Sequence, residues 1–161
     1  MKWPLTIAGL VVALAAQTAL SLVLPHQARL FDPFLLVVVY SGLVFGETHG
    51  MLAGTAAGWI LDLQFGGTVT GLQALTKILI GFAVGAAATR FLIAAAVTRF
   101  LVLFAATLLD ALVFERFALV FEVPASELSL AGLFGRAALN AVLGAALFQI
   151  LDARLRRAVR P

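Results

Sequence analysis

Three features of this sequence predict an all-α integral membrane protein folded as a bundle of six transmembrane helices. Hydrophobic residues make up 63% of the chain and charged residues only 12%, with a mean hydropathy of +1.09, whereas soluble domains carry about 25% charged residues. The apolar residues fall into runs suited to a hydrocarbon core of about 30 Å, which takes roughly 20 residues at 1.5 Å rise each. Lysine and arginine are distributed unevenly between alternate connections, as the positive-inside rule requires of a polytopic protein. Six spans and their loops use up the 161 residues, so a single membrane domain over 1–161 is expected.

The first span, 3–24, carries no charge. Lys2 and the small residues Ala13 and Ala15 also give it some features of a cleaved secretory signal. The apolar run continues well past that site, however, and no soluble domain follows, so a retained helix is the preferred reading. Asp32 followed by Pro33 is an N-cap and first-turn pair, opening a second span over 33–45. Gly46 to Gly50 then reads as a tight polar turn before a third span over 51–65. The second and third spans are short for a full crossing and imply little tilt or local thinning. A glycine-rich loop from Gly66 to Gly71 leads to the fourth span, 72–89. An elbow carrying Arg90 and Arg99 precedes the fifth, 100–121. Pro124, Ser126 and Glu127 mark the turn before the sixth, 129–151, and residues 152–161 form a basic tail.

This layout gathers Lys2, Arg90, Arg99 and the terminal Arg154, Arg156, Arg157 and Arg160 on one side. The other side has Arg29 and Arg116 among the acidic Asp32, Glu115, Glu122 and Glu127. Both termini are therefore expected in the cytoplasm, with the terminal arginines against anionic lipid headgroups. That placement accounts for the net charge of +3 and the isoelectric point near 10.2 without a nucleic-acid partner. With no cysteine, disulfides and thiolate metal sites are excluded.

Gly42, Gly46, Gly50, Gly54 and Gly58 recur at every fourth position. Small residues at this spacing expose backbone along a helix and allow close helix contact, so Gly50, Gly54 and Gly58 are candidates for packing inside the bundle or against a partner's helix. Gly81 and Gly85 repeat the spacing in the fourth span, and Ala137, Ala141 and Ala145 form a small stripe in the sixth.

A charge at the bilayer centre costs about 2.5–3.5 kcal/mol on insertion scales, so ionisable residues within spans call for partners. Asp62 and Lys77 are expected to pair, as are Asp110 and Arg136, with Asn140 one turn deeper on the face of Arg136. All lie in the half of the bundle away from the termini, which makes a polar interior there the expected arrangement, as a structural lock or a binding cavity. No catalytic constellation emerges. His26 and His49 fall in loops on opposite sides and cannot share a metal, Ser21 and Ser41 have no base within reach, and the Gly66–Gly71 loop lacks the Lys-Ser/Thr ending of a phosphate loop. No enzyme activity and no cofactor are expected.

Several of these residues form a pattern: Phe31-x-Pro33, Leu35-Leu36-x-x-x-Tyr40, Gly54-x-x-x-Gly58-x-x-Leu61-Asp62-Leu63, a glycine-rich loop ending Gly71-Leu72-x-x-Leu75, Leu109-Asp110-x-x-Val113-Phe114, and Asn140 ahead of an arginine-rich end. The pattern resembles the MreD family of rod-shape-determining membrane proteins over nearly the whole chain. Its most specific part is the glycine, glycine, aspartate run before the glycine-rich loop, while Lys77 lies outside the match. The resemblance implies a six-helix bundle similar to the substrate-binding component of energy-coupling-factor transporters. It further implies a non-enzymatic scaffold of the bacterial elongation machinery that builds side-wall peptidoglycan. The implied partners are the single-span protein MreC, then RodA with its penicillin-binding transpeptidase, and MreB. The transporter likeness leaves capture of a small molecule such as a vitamin as the other reading.

Reporter fusions test the orientation directly: a reporter active only in the cytoplasm should be active at either end of the chain, and a periplasmic C-terminus overturns the layout.

Overall fold

The computed structural model describes residues 2–24, 30–65, 69–91, 95–123 and 129–159. They form six helices: α1 (Lys2–Val23), α2 (Pro33–Phe45), α3 (Glu47–Phe65), α4 (Leu72–Arg90), α5 (Ala96–Val120) and α6 (Leu130–Val159). Four of them, α1, α4, α5 and α6, are long and apolar enough to cross a membrane, and α2 is a shorter apolar helix. His26, Arg29, the loop residues 66–68, the turn signals Pro124, Ser126 and Glu127, and Arg160 lie outside the described residues.

The helix boundaries differ from the sequence expectation at three places, each for a local reason. Residues 47–50 are the first turn of α3 and not part of a polar turn. Gly46 alone reverses the chain, at a φ of +93° that favours glycine, donating its N–H to Gly42 O and accepting from Gly50 N–H at 3.0 Å each. The fifth helix starts at Ala96, placing Arg99 inside its first turn, where the Arg99 N–H donates to Ala95 O at 3.1 Å. The sixth runs on through the expected tail to Val159, because alanine, leucine and arginine favour helix and no glycine or proline intervenes.

The most apolar helix, α2, occupies the centre and packs against all five others. Its residues 33–36 and 38–42 are buried, which explains why the shortest helix carries no polar outer face. One side of it joins Leu35, Leu36, Val39 and Tyr40 to Ile80 and Val84 of α4, Leu103 and Ala106 of α5, and Ala141, Ala145 and Phe148 of α6. The other joins Phe34 and Val38 to Leu10 and Ala13 of α1 and Ala57 of α3.

Between α3 and α4 the backbones almost touch. A Cβ added at Gly50 would lie 2.5 Å from the Gly81 carbonyl oxygen. Cβ atoms at Gly54, Gly58 and Gly85 would collide with backbone at Lys77, Ala74 and Glu47 respectively. The stripe Gly50, Gly54, Gly58 is thus spent on α4, inside the bundle. Because lipid tails are as apolar as the side chains, such close approach is a main source of helix association here.

Position 54 and the open position Gly135 give a matched test. Gly54→Ile meets backbone that cannot move aside and should destabilise by at least the ~3 kcal/mol upper end of ordinary overpacking, read as loss of a monodisperse elution peak in detergent. At Gly135 an added Cβ meets nothing within 4 Å, so Gly135→Ala should be neutral or stabilising by up to about 1 kcal/mol. Equal tolerance of both would refute the packing role.

Candidate functional site: a charge cluster inside the bundle

At the far end of the bundle from Lys2, four charged side chains from four helices converge. Asp32, the N-cap of α2, divides its groups among three tasks. Its Oδ1 accepts from Leu35 N–H at 2.9 Å, its Oδ2 accepts from Lys77 Nζ at 2.7 Å, and its own N–H donates to Asn140 Oδ1 at 3.0 Å. Lys77, on α4, also donates to both oxygens of Asp110, on α5, at 2.8 and 2.9 Å. Arg136, on α6, lies 3.5 Å from Asp32 Oδ2 and 3.6 Å from Asp110 Oδ2. Lys77 is 1%, Asp110 3% and Asn140 0% exposed. Two carboxylates and two cations therefore neutralise one another, with Lys77 and Asp110 enclosed and Asp32 and Arg136 partly exposed, tying α2, α4, α5 and α6 together.

The expected pairing of Asp110 with Arg136 is present, as the long contact at 3.6 Å. Asp62 does not pair with Lys77. Its oxygens accept from the N–H groups of Gly71, Gln73 and Ala74 at 2.9, 3.2 and 3.3 Å. Those are among the donors that the first turn of α4 leaves without helical partners, and the positive end of the helix dipole favours a carboxylate there. With Asp62 so engaged, the ammonium of Lys77 is neutralised from α2 and α5.

Reading Asp32 only as an N-cap missed its second role, which appears once Asp62 is engaged at the start of α4: Lys77 and Arg136 then face a single intramembrane aspartate, and Asp32 supplies the second carboxylate. A second polar tie went unanticipated at the opposite end. There Asp152 of α6 accepts from Arg99 of α5 and from Tyr40 Oη of α2, the latter at 3.3 Å. His49, expected in a loop, lies in the first turn of α3 and is buried. Its Nε2 is 2.9 Å from Thr6 Oγ1, and its ring packs on Trp3 and Phe45.

Helices of this length and apolarity, with ionisable groups closed upon one another inside, define a multi-pass membrane protein. The family model for the rod shape-determining protein MreD matches residues 1–157, and the chain belongs to that family, which gives it a role in determining rod shape. No curated protein matches, and no solved structure does.

Asp110→Leu leaves Lys77 and Arg136 with one carboxylate and should cost about 3–5 kcal/mol, the range for a buried pair that loses one member. Lys77→Met in the same chain restores charge balance through Asp32 and Arg136 and should recover much of that loss. Asp62→Leu removes a helix cap, at about 1–2 kcal/mol, and its cost should simply add to that of Lys77→Met. Thermal unfolding in detergent measures all three, and strong coupling of position 62 to position 77 would contradict the geometry.

Proposed function

We propose that the chain is a non-enzymatic scaffold of the bacterial cytoplasmic (inner) membrane, crossing it six times with both termini in the cytoplasm. In this reading it binds the single helix of MreC and supports side-wall peptidoglycan synthesis alongside RodA, its penicillin-binding transpeptidase and MreB. One observation carries the proposal: the devices that could recruit a partner from within the bundle are already used internally. The charges neutralise one another and the glycine stripe is filled by α4. The surface left for a partner is the apolar outer wall, and this reading assigns the contact to its α1, α5 and α6 faces, where Val12, Leu112 and Leu143 are among the exposed residues. A partner helix can pack there by van der Waals contact.

The grouping of helix ends supports the sidedness. The N-terminus of α1, the α2–α3 junction, the C-terminus of α4, the N-terminus of α5 and the C-terminal part of α6 share one end, through the Thr6–His49, Gly85–Glu47 and Tyr40–Asp152–Arg99 contacts. Lys2, Arg90, Arg99 and Arg154 are at that end, which suits the cytoplasm. Mutual pairing of the four interior charges also favours a structural lock over a cavity for a small molecule, although Arg136 Nε and Asn140 Nδ2 are buried with no hydrogen-bond partner among the described residues.

Val12→Trp, Leu112→Trp and Leu143→Trp probe the three faces without entering the core. At least one should reduce copurification of coexpressed MreC tenfold or more while leaving the elution profile of the protein unchanged. Undiminished binding in all three would remove these faces as the contact.

A further inference from the structure

A crevice of about 310 Å³ opens on the outer wall of the bundle, lined by Trp59 of α3, by Thr70 and Gly71 ahead of α4, by Leu75 and Ile78 of α4, and by Phe121 at the end of α5. We propose that it holds one hydrocarbon chain of a membrane lipid from the leaflet on the Asp62 side. The inference rests on the bundle crossing the membrane and not on the identity of any partner.

Three observations select that occupant. Trp59, Leu75 and Phe121 are 50%, 45% and 45% exposed, and α4 and α5 are both long and apolar enough to span. With α4 and α5 crossing the membrane, the mouth of the crevice faces lipid in this proposal. Its volume lies at the lower end of the range for small-ligand sites, about 300–1,000 Å³, equal to the space of about ten waters. Walls this apolar exclude water and accept apolar atoms instead. The crevice is also polarised along its length. Thr70 and the backbone of Gly71 stand at the start of α4, and Ile78 lies about 10 Å further along the axis at 1.5 Å per residue. Polar at the membrane boundary and apolar at depth, the lining follows the order of polarity along a lipid from its headgroup into its chain.

The two tryptophans of the sequence are far apart, Trp3 at the His49 end and Trp59 at the crevice, so Trp3→Phe leaves Trp59 as the only reporter. The experiment titrates this full-length variant in detergent micelles with phosphatidylcholine brominated on its chains, which quenches tryptophan on contact. Quenching should saturate near one lipid per protein and hold its midpoint when the detergent concentration is doubled. Leu75→Phe, which fills the crevice from an exposed position, should weaken that saturable phase at least fivefold, and Ile78→Phe offers the same test from the deep end; elution profile and Tm confirm that each variant is folded. Quenching that only tracks the lipid-to-detergent ratio would mean general contact with surrounding lipid and would overturn the proposal. So would a saturable phase unmoved by both fillings. Absence of quenching together with a dimeric mass would give the crevice to a second copy of the chain and equally overturn it.

Discussion

The ammonium group of Lys77 constrains everything around it. A lone charge in a medium without water must be neutralised within hydrogen-bonding distance, and at 1% exposure Lys77 has no route to the membrane surface. Its partners Asp32 and Asp110 come from helices far apart in sequence, so α2 and α5 have to arrive at α4 in a fixed rotation and depth. Two carboxylates around one lysine leave a negative charge over, which Arg136 of α6 balances. A buried ionic group of this kind is weak evidence for high stability. What it supplies here is specificity, because slipping any of the four helices by one turn would strand a charge in hydrocarbon.

The glycines impose the complementary constraint. Ion pairs can hold helix ends at a given depth but cannot bring two backbones into contact, which requires the absence of side chains along α3 at Gly50, Gly54 and Gly58 and along α4 at Gly81 and Gly85. That close hairpin fixes where Lys77 and Asp62 sit relative to one another. Asp62 faces the start of α4 and caps it, while the Lys77 side chain leaves on the other face toward α2 and α5. The polar and the glycine-based contacts are thus parts of one arrangement, and the apolar helix α2 is enclosed by it.

A bundle closed in this way has little means of communicating except through its outer surface. For a member of a rod-shape-determining family, with few residues outside its helices, this shifts attention from the conspicuous interior motifs to the plain outward faces of α1, α5 and α6. These carry large exposed apolar side chains and no distinguishing pattern. Their lack of pattern is why sequence inspection alone favours the glycines as the place to look for a partner.

Local chemistry was legible from the sequence. The all-helical membrane class followed from composition, the start of α2 from Asp32 and Pro33, and close helix packing from glycines four apart, because each depends only on neighbours within a turn or on the solvent the chain must face. Asn140 and Arg136 could be placed on one face of α6 by helical spacing, and Asp110 at a similar depth to Arg136 by the alternating direction of successive spans. The choice of partner for Lys77 was not legible. Asp62 and Asp32 are both carboxylates on its side of the bundle, and only the rotation of α3 against α4 turns the first toward free backbone donors and leaves the second within reach. Nor could the sequence decide whether the Gly50–Gly58 stripe faced inward or outward, since the same spacing serves any close neighbour. Those decisions belong to the tertiary structure, because rotation and depth are set by contacts among helices distant in the chain.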